Sequence, residues 1–362
     1  MRHGTGRQAR ARFAGRRPGS LRAPVYGAVD LGTSNCRMLM AKPAGGDFRV
    51  VGSFSRIVRL GEGLAASGRL SDAAIARTVD ALKVCAGKMR AHAVRQVRGV
   101  ATEACRRAGN CAEFLHRVKA ETGLALESIS PVEEAKLTLT GCAPLLDAAC
   151  PRALVFDIGG GSTELMWIGL AAGRAPRLLG LLSLKHGVMT LAERHGRDAI
   201  PPKDYKRIVA GIKAELASFD AEHGIAREIA RGRVQMLGTS GTVTTFGGIY
   251  LGLPRYDRSR VDGLVIDFDS IAAISARLSG MDYKARSAYP CIRRDGADLM
   301  VMGCAILDAI CRRWPVGRLR IADRGIREGL LLGMMAADGS VQAPVPPSAP
   351  APRAVGDAPS RP

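Results

Sequence analysis

Short apolar runs alternate along this chain with turn-forming residues, and one such arrangement occurs twice. The apolar run Val25–Leu31 leads into Asp30-Leu31-Gly32-Thr33-Ser34-Asn35, with residues 37–41 and 48–58 as the next two strand-like segments and Ala44-Gly45-Gly46-Asp47 as the hairpin turn between them. From Ala153, the string ending Asp157-Ile158-Gly159-Gly160-Gly161-Ser162-Thr163-Glu164 repeats the strand and the turn, followed by strands over 165–170 and 178–184 with a turn at Gly173-Arg174. Asp30 and Asp157 therefore take equivalent places in two copies of one unit, which predicts two related domains facing each other. Segments with apolar residues every three or four positions predict helices in between. Ser71 is placed to cap one that carries Ile75, Val79, Leu82 and Met89, and Asn110 to cap another that carries Phe114, Leu115 and Val118. Further helices are predicted over 203–219, 242–251, 270–278, 297–312 and 326–335. The fold class is α/β with mixed sheets.

Composition adds a direction to this outline. The 362 residues leave room for two domains with cores of their own, and 47% hydrophobic residues exclude disorder throughout. The formal net charge is +20, from 53 Lys+Arg against 33 Asp+Glu. Residues 1–24 hold seven arginines and no acid, and residues 340–362 hold seven prolines, so both are expected to be disordered tails. Without them the body keeps about +12, a balance that favours an anionic partner. No apolar run reaches the roughly 18 residues that cross a bilayer. The nearest, 299–311, contains Asp308 and is expected to be a buried helix. The Arg16-Arg17 pair is not followed by an apolar leader segment, so the chain is expected in the cytoplasm. Nine cysteines without a C-x-x-C pair are expected to be reduced core thiols.

Candidate chemistry gathers at the turns. A glycine-rich turn after a strand offers backbone N–H groups to phosphate oxygens. One alone is more often a plain turn, but here there are three: Gly32-Thr33-Ser34-Asn35, Gly159-Gly160-Gly161-Ser162 and Gly238-Thr239-Ser240-Gly241. Neither a Walker A string nor G-x-G-x-x-G is present. Glu164 lies seven residues after Asp157, so both carboxylates can face one cleft, and Mg²⁺ is commonly held by one or two carboxylates plus substrate phosphates. In Ser130-Pro131-Val132-Glu133-Glu134, Ser130 fits a helix N-cap, Pro131 the first position, and Glu133 the far side of a capping box. Glu134 is left over. It reads either as a partly buried general base or as a first-turn acid favoured by the helix dipole. Arg106 follows the strand over 97–101 and reads as a phosphate-binding guanidinium or as one surface arginine among many. His186 and His195 show no metal-ligand spacing and are expected to be structural.

These pieces, in this order, resemble the exopolyphosphatase/guanosine pentaphosphate phosphohydrolase (Ppx/GppA) family of the actin/sugar-kinase/Hsp70 superfamily. The resemblance rests on Asp30 to Asn35, Arg59-Leu60-Gly61-Glu62-Gly63, Ala101 to Arg106 with Asn110, Glu133-Glu134-Ala135, Asp157 to Glu164, Gly238 to Thr242, and Gly325 to Leu330. It implies two actin-like, ribonuclease H-like domains around a central cleft, in the short two-domain form. Domain I would span 25–131, with a C-terminal helix at about 322–338 returning to it, and domain II 132–321. The resemblance further implies Glu134 as the catalytic glutamate, Arg106 as a phosphate contact, Gly32 to Asn35 and Gly159 to Ser162 as phosphate loops, and Asp157 and Glu164 as carboxylates beside a divalent cation. Asp30, equivalent to Asp157, joins that metal set, with Mg²⁺ or Mn²⁺ as the ion. An arginine usual in such chains falls at Gly296 here, with Arg293 and Arg294 nearby.

The expected activity is release of the terminal phosphoryl group from a linear phosphoanhydride by water polarised by Glu134. Inorganic polyphosphate is the preferred substrate because a basic body suits a polyanion, and guanosine pentaphosphate (pppGpp) is the alternative. A kinase on the same fold would need an acceptor-binding Asp and an adenosine pocket, neither of which is evident. A non-catalytic polyphosphate- or RNA-binding protein would explain basic tails, but not the placement of Glu134, Asp157 and Glu164. No membrane partner and no specific nucleic acid are expected, and the oligomeric state is left open, a homodimer included.

Overall fold

The computed structural model describes residues 23–341. The two expected tails lie almost wholly outside the described residues. The first sheet is built from β1 (Val25–Leu31), β2 (Asn35–Ala44), β3 (Asp47–Ile57), β4 (Val94–Ala101) and β5 (Leu126–Ser128), in the spatial order β3-β2-β1-β4-β5. The second holds β6 (Arg152–Ile158), β7 (Thr163–Gly169), β8 (Arg177–Leu184), β9 (Val234–Thr239), β10 (Val265–Asp267) and β11 (Arg318–Ala322), in the order β10-β11-β9-β6-β7-β8. With β10 set aside, the two orders coincide strand for strand. Each sheet opens with an antiparallel meander, β1-β2-β3 or β6-β7-β8, and continues with strands parallel to the first. Parallel neighbours need crossover connections, and helices supply them. The repeat extends to hydrogen bonds: Gly32 N–H donates to the Asn35 carbonyl and Gly159 N–H to the Ser162 carbonyl, both at 2.9 Å.

Local signals placed most helices. The Ser71 hydroxyl accepts from Ala74 N–H at 3.2 Å and caps the helix Asp72–Ala91. Asn110 precedes the helix Cys111–Thr122 but does not cap it. Its carboxamide instead binds both the N–H and the carbonyl of Leu70, at 2.8 and 3.0 Å, so a distant loop has claimed it. The segment expected as one helix over 203–219 is two, Pro202–Glu215 and Ala217–His223. The others form as Gly241–Tyr250, Phe268–Ser279, Met300–Arg313 and Ile326–Ala337. A helix at Val188–His195 was not expected.

Two helices link the sheets. Pro131–Cys142 lays Ala135, Leu139 and Cys142 on Val155, Met166 and Leu237 of the second sheet. Ile326–Ala337 returns to the first sheet, where Ile326, Leu330 and Met334 pack on Tyr26, Leu39 and Val100. The pair cross so closely that a Cβ on Gly141 would collide with the Gly325 carbonyl, and one on Gly329 with that of Leu137. The helix Met300–Arg313 is buried in the second core, where Asp308 accepts from Tyr205 Oη at 2.9 Å. Among the described residues no helix is long and apolar enough to cross a membrane. The nine cysteines are free, and all but Cys111 and Cys150 are buried.

Candidate active site

The strands β1 and β6 end at a cavity of about 550 Å³, walled by Asp30, Gly32 to Asn35, Glu134, Asp157, Gly159 to Ser162, Ser240 and Gly241. Here the two equivalent turns meet. A Cβ on Gly160 would lie 2.9 Å from Ser34 Cβ, and one on Gly161 would lie 2.5 Å from Thr33 Oγ1. The glycines are thus required by close approach. The hydroxyl oxygens of Thr33 and Ser34 are buried and have no hydrogen-bond partner among the described residues. An unpaired buried hydroxyl costs stability, and a phosphate oxygen would accept from it.

The third turn contributes only in part. Ser240, with φ of 137°, holds a backbone shape uncommon outside glycine, and its hydroxyl accepts from Val243 N–H at 3.2 Å. It starts the helix Gly241–Tyr250, whose N-terminus opens on the cavity and favours an anion there. Thr239 sits at the rear, donating its hydroxyl to the Arg324 carbonyl at 2.7 Å. Gly238, expected in a phosphate loop, is instead inside β9 and off the main cavity wall. A Cβ there would lie 2.6 Å from the Phe156 ring, so packing demands this glycine.

Glu134 owes its place to the helix start. The Ser130 hydroxyl accepts from Glu133 N–H at 3.2 Å and Pro131 takes the first position, as expected. Glu133 does not close a capping box, because Arg98 on β4 draws its carboxylate away with a charge-assisted bond of 2.6 Å. One residue on, Glu134 turns inward and is only 7% exposed. Its Oε2 accepts from Arg106 Nη1 at 2.7 Å, and Arg106 also donates to the Ile129 carbonyl at 2.9 Å and to Glu103 Oε2 at 3.0 Å. Glu134 and Glu103 reach the cavity wall, with Arg106 behind them. Burial pushes the Glu134 carboxyl well above the ordinary carboxylate range, and the charge of Glu164 adds to it while Arg106 pulls the other way.

Asp157 and Glu164 face each other across β6 and β7. Loss of hydration and the charge of Glu164 push Asp157 up to about 7. Glu164 is 2% exposed and lies off the cavity wall, its Oε1 accepting from the hydroxyls of Ser162 at 2.7 Å and Ser183 at 3.0 Å. Desolvation also raises Asp30, with Arg37 and Arg327 opposing. Among the described residues no three His, Cys, Asp or Glu side chains converge to hold a metal by themselves. The expected trio Asp30, Asp157 and Glu164 is therefore not a closed metal cluster, since the serines engage Glu164. Asp30 and Asp157, both on the wall and both raised by desolvation, still fit a hard divalent cation that takes its remaining ligands from substrate phosphates.

Three wall residues were missed in the sequence, Arg37, Arg258 and Arg327, and a fourth, Arg293, was noted there without a role. The Arg37 guanidinium forms no hydrogen bond or ion pair with another described residue and meets Asp30 and Asp157 only as nearby charges. The signal was present, since Arg37 lies seven residues after Asp30, as Glu164 does after Asp157.

The Ppx/GppA phosphatase family is matched over residues 39–338. Exopolyphosphatase 2 of Mycobacterium tuberculosis is 29% identical over 320 residues, spanning 85% of this chain and 97% of that protein. The crystal structure of the Aquifex aeolicus Ppx/GppA family member superposes with a TM-score of 0.71 at 26% identity, covering 87% of this chain and 98% of that one. An exopolyphosphatase from Cytophaga hutchinsonii shares the fold with a TM-score of 0.77 at 21% identity, covering 88% of this chain and 99% of that one. With the family matched across most of its length and the fold shared with solved members, the chain belongs to the Ppx/GppA phosphatases, hydrolases of phosphoanhydride bonds.

Proposed function

We propose that this protein is an exopolyphosphatase that releases terminal orthophosphate from inorganic polyphosphate, with Glu134 as the general base. The observation that carries the reading is Glu134 itself, buried, fixed by Arg106 at 2.7 Å, and on the wall of the cavity where two glycine turns and two unpaired hydroxyls meet. The similarity to exopolyphosphatases and the net charge of +20 support the choice of substrate. The cleft lies between domain I, taken as residues 25–131 with the returning helix at 322–338, and domain II, taken as 132–321.

In this reading Glu134 accepts a proton from a water molecule as the water oxygen bonds to the terminal phosphorus and the phosphoanhydride bond breaks, leaving a chain one unit shorter. Its raised carboxyl is a stronger base than an exposed glutamate. Arg106 holds the carboxylate in one orientation. The Thr33 and Ser34 hydroxyls, the amides of both glycine turns, and Arg37 stabilise charge on the phosphoryl oxygens. When bound, a divalent cation, Mg²⁺ or Mn²⁺, adds positive charge at those oxygens, and Asp30 and Asp157 would hold it. Buried free thiols suit the reducing cytoplasm.

A second reading, pppGpp hydrolysis, is favoured by the apolar side chains Phe54, Ile57, Tyr256 and Ile292 on the same wall, which a bare polyphosphate does not need. Orthophosphate release from long-chain polyphosphate and from pppGpp, measured side by side with Glu134→Gln as control, tests both. A higher kcat/KM on polyphosphate supports the first reading, and a higher value on pppGpp replaces it with the second.

A further inference from the structure

The segment Arg59-Leu60-Gly61-Glu62-Gly63 follows β3 and has no place in the chemistry above, yet it binds both a phosphate turn and the other half of the molecule. On its inner side, the N–H groups of Val58 and Arg59 donate to the Ser34 carbonyl at 2.8 and 2.9 Å, and Gly61 N–H donates to the Thr33 carbonyl at 3.0 Å. A side chain at Gly61 would collide with Thr33 Cγ2. On its outer side, the Arg59 guanidinium grips Asp298 with two bonds of 2.9 Å and adds a third, also 2.9 Å, to the Asp295 carbonyl. Glu62 faces Arg197 at 3.5 Å, and Gly63 N–H donates to Glu193 Oε1 at 3.1 Å. All four of these partners lie in the second half of the chain.

The central pair is built with care. The Arg59 and Asp298 side chains are only 20% and 11% exposed, so solvent screens their attraction weakly. Arg59 holds φ at 49°, a left-handed backbone that non-glycine residues adopt rarely and that surrounding contacts must sustain. Fork-to-fork guanidinium and carboxylate bonding also fixes orientation, which lysine cannot reproduce.

We propose that Arg59 and Asp298 form a latch that ties closure of the cleft to the placement of the Thr33–Ser34 turn, so that Arg59 is a positioning residue for phosphoryl hydrolysis. Closing the pair draws domain II onto domain I and seats Gly160 and Gly161 against Thr33 and Ser34, the contact at which the phosphoryl group is held. Opening it leaves the backbone bonds to Thr33 and Ser34 intact but separates the two turns. A small misplacement of that kind can cost roughly a hundredfold in rate.

The test uses the full chain as wild type, Arg59→Ala, Arg59→Lys, Asp298→Asn, the Arg59→Ala/Asp298→Asn double variant and the reversed pair Arg59→Asp/Asp298→Arg. Two quantities are read: orthophosphate release from tripolyphosphate with Mg²⁺, and the radius of gyration by small-angle X-ray scattering with and without tripolyphosphate. The rate assay rests on the exopolyphosphatase reading, and wild type inactive on tripolyphosphate would count against that reading, while scattering judges the latch without turnover. We expect Arg59→Ala and Asp298→Asn each to lose about 10- to 100-fold in kcat with KM changed less than about threefold, in line with the cost of misplacement. The double variant should be no worse than either, Arg59→Lys intermediate, and the reversed pair at least partly restored. The radius of gyration of the single variants should exceed that of wild type. A kcat within twofold of wild type, losses that multiply in the double variant, or a lost rate with an unchanged radius of gyration would each overturn the latch.

Discussion

Arg37 faces Asp30 across β1 and β2 at the register position where, in the second sheet, Glu164 faces Asp157. The two halves of the molecule therefore carry opposite charges at equivalent points. On one side a guanidinium with no partner among the described residues meets the cavity; on the other a buried acid accepts from Ser162 and Ser183. In the proposed reading, this difference gives the pocket a guanidinium at one turn that would meet phosphoryl oxygens, while Asp30 and Asp157 would hold the cation.

Removing the guanidinium should weaken substrate binding most. Hydrogen bonds to charged groups contribute roughly 1.5–3 kcal/mol, so Arg37→Ala is expected to raise KM for polyphosphate by about one to two orders of magnitude. Arg37→Lys should recover part of the loss, because it keeps the charge and loses the fork. Steady-state kinetics at saturating cation will show this, and an unchanged KM would take Arg37 out of the site.

The neighbouring glutamates should separate cleanly. Glu134→Gln removes the base and keeps the shape, so kcat should fall by about 10²–10⁴-fold with binding nearly intact. Glu133→Gln breaks a half-exposed ion pair with Arg98, in which Glu133 is 43% exposed, and should change stability by less than about 1 kcal/mol and activity little. Equal losses in the two variants would refute the assignment of the base.

The raised carboxylates fix the sign of a pH effect. Burial and the charge of Glu164 push Asp157 up to about 7 in the fold, well above the ordinary carboxylate range, so between about pH 4 and 7 the folded state binds the extra proton. This contribution to stability is complete below the unfolded value and is lost as pH rises through 7. Glu134, Glu164 and Asp30 are raised as well and act in the same direction. Without divalent cation, the melting temperature should therefore fall across that window. Because a cation competes with protons for ionised carboxylates, Mg²⁺ should raise the melting temperature more at pH 8 than at pH 6, and chelation should reverse it. A larger Mg²⁺ effect at pH 6 would contradict this picture of the site.

The repeat and its turns were legible because each rests on local rules: an apolar strand, an Asp at its end, and glycine where two backbones approach. Errors arose where a distant partner outbid the local one. Asn110 has the chemistry of a cap but is held by Leu70, 40 residues away, and Glu133 is held by Arg98 rather than by its own helix. Gly238 looked like a turn glycine until the Phe156 ring explained it. The role of Arg59 could not be read at all, since its partner Asp298 is 239 residues further on and no periodicity links them.

Hydrolysis of long-chain polyphosphate in ¹⁸O-labelled water, with Mg²⁺ and mass analysis of the products, tests the central claim most directly. Attack by water on the terminal phosphorus, assisted by Glu134, should place one labelled oxygen in each released orthophosphate, leave the shortened chain unlabelled, and slow by at least about 10²-fold in Glu134→Gln. Label in the residual chain, internal fragments in place of orthophosphate, or equal labelling rates in wild type and Glu134→Gln would contradict it.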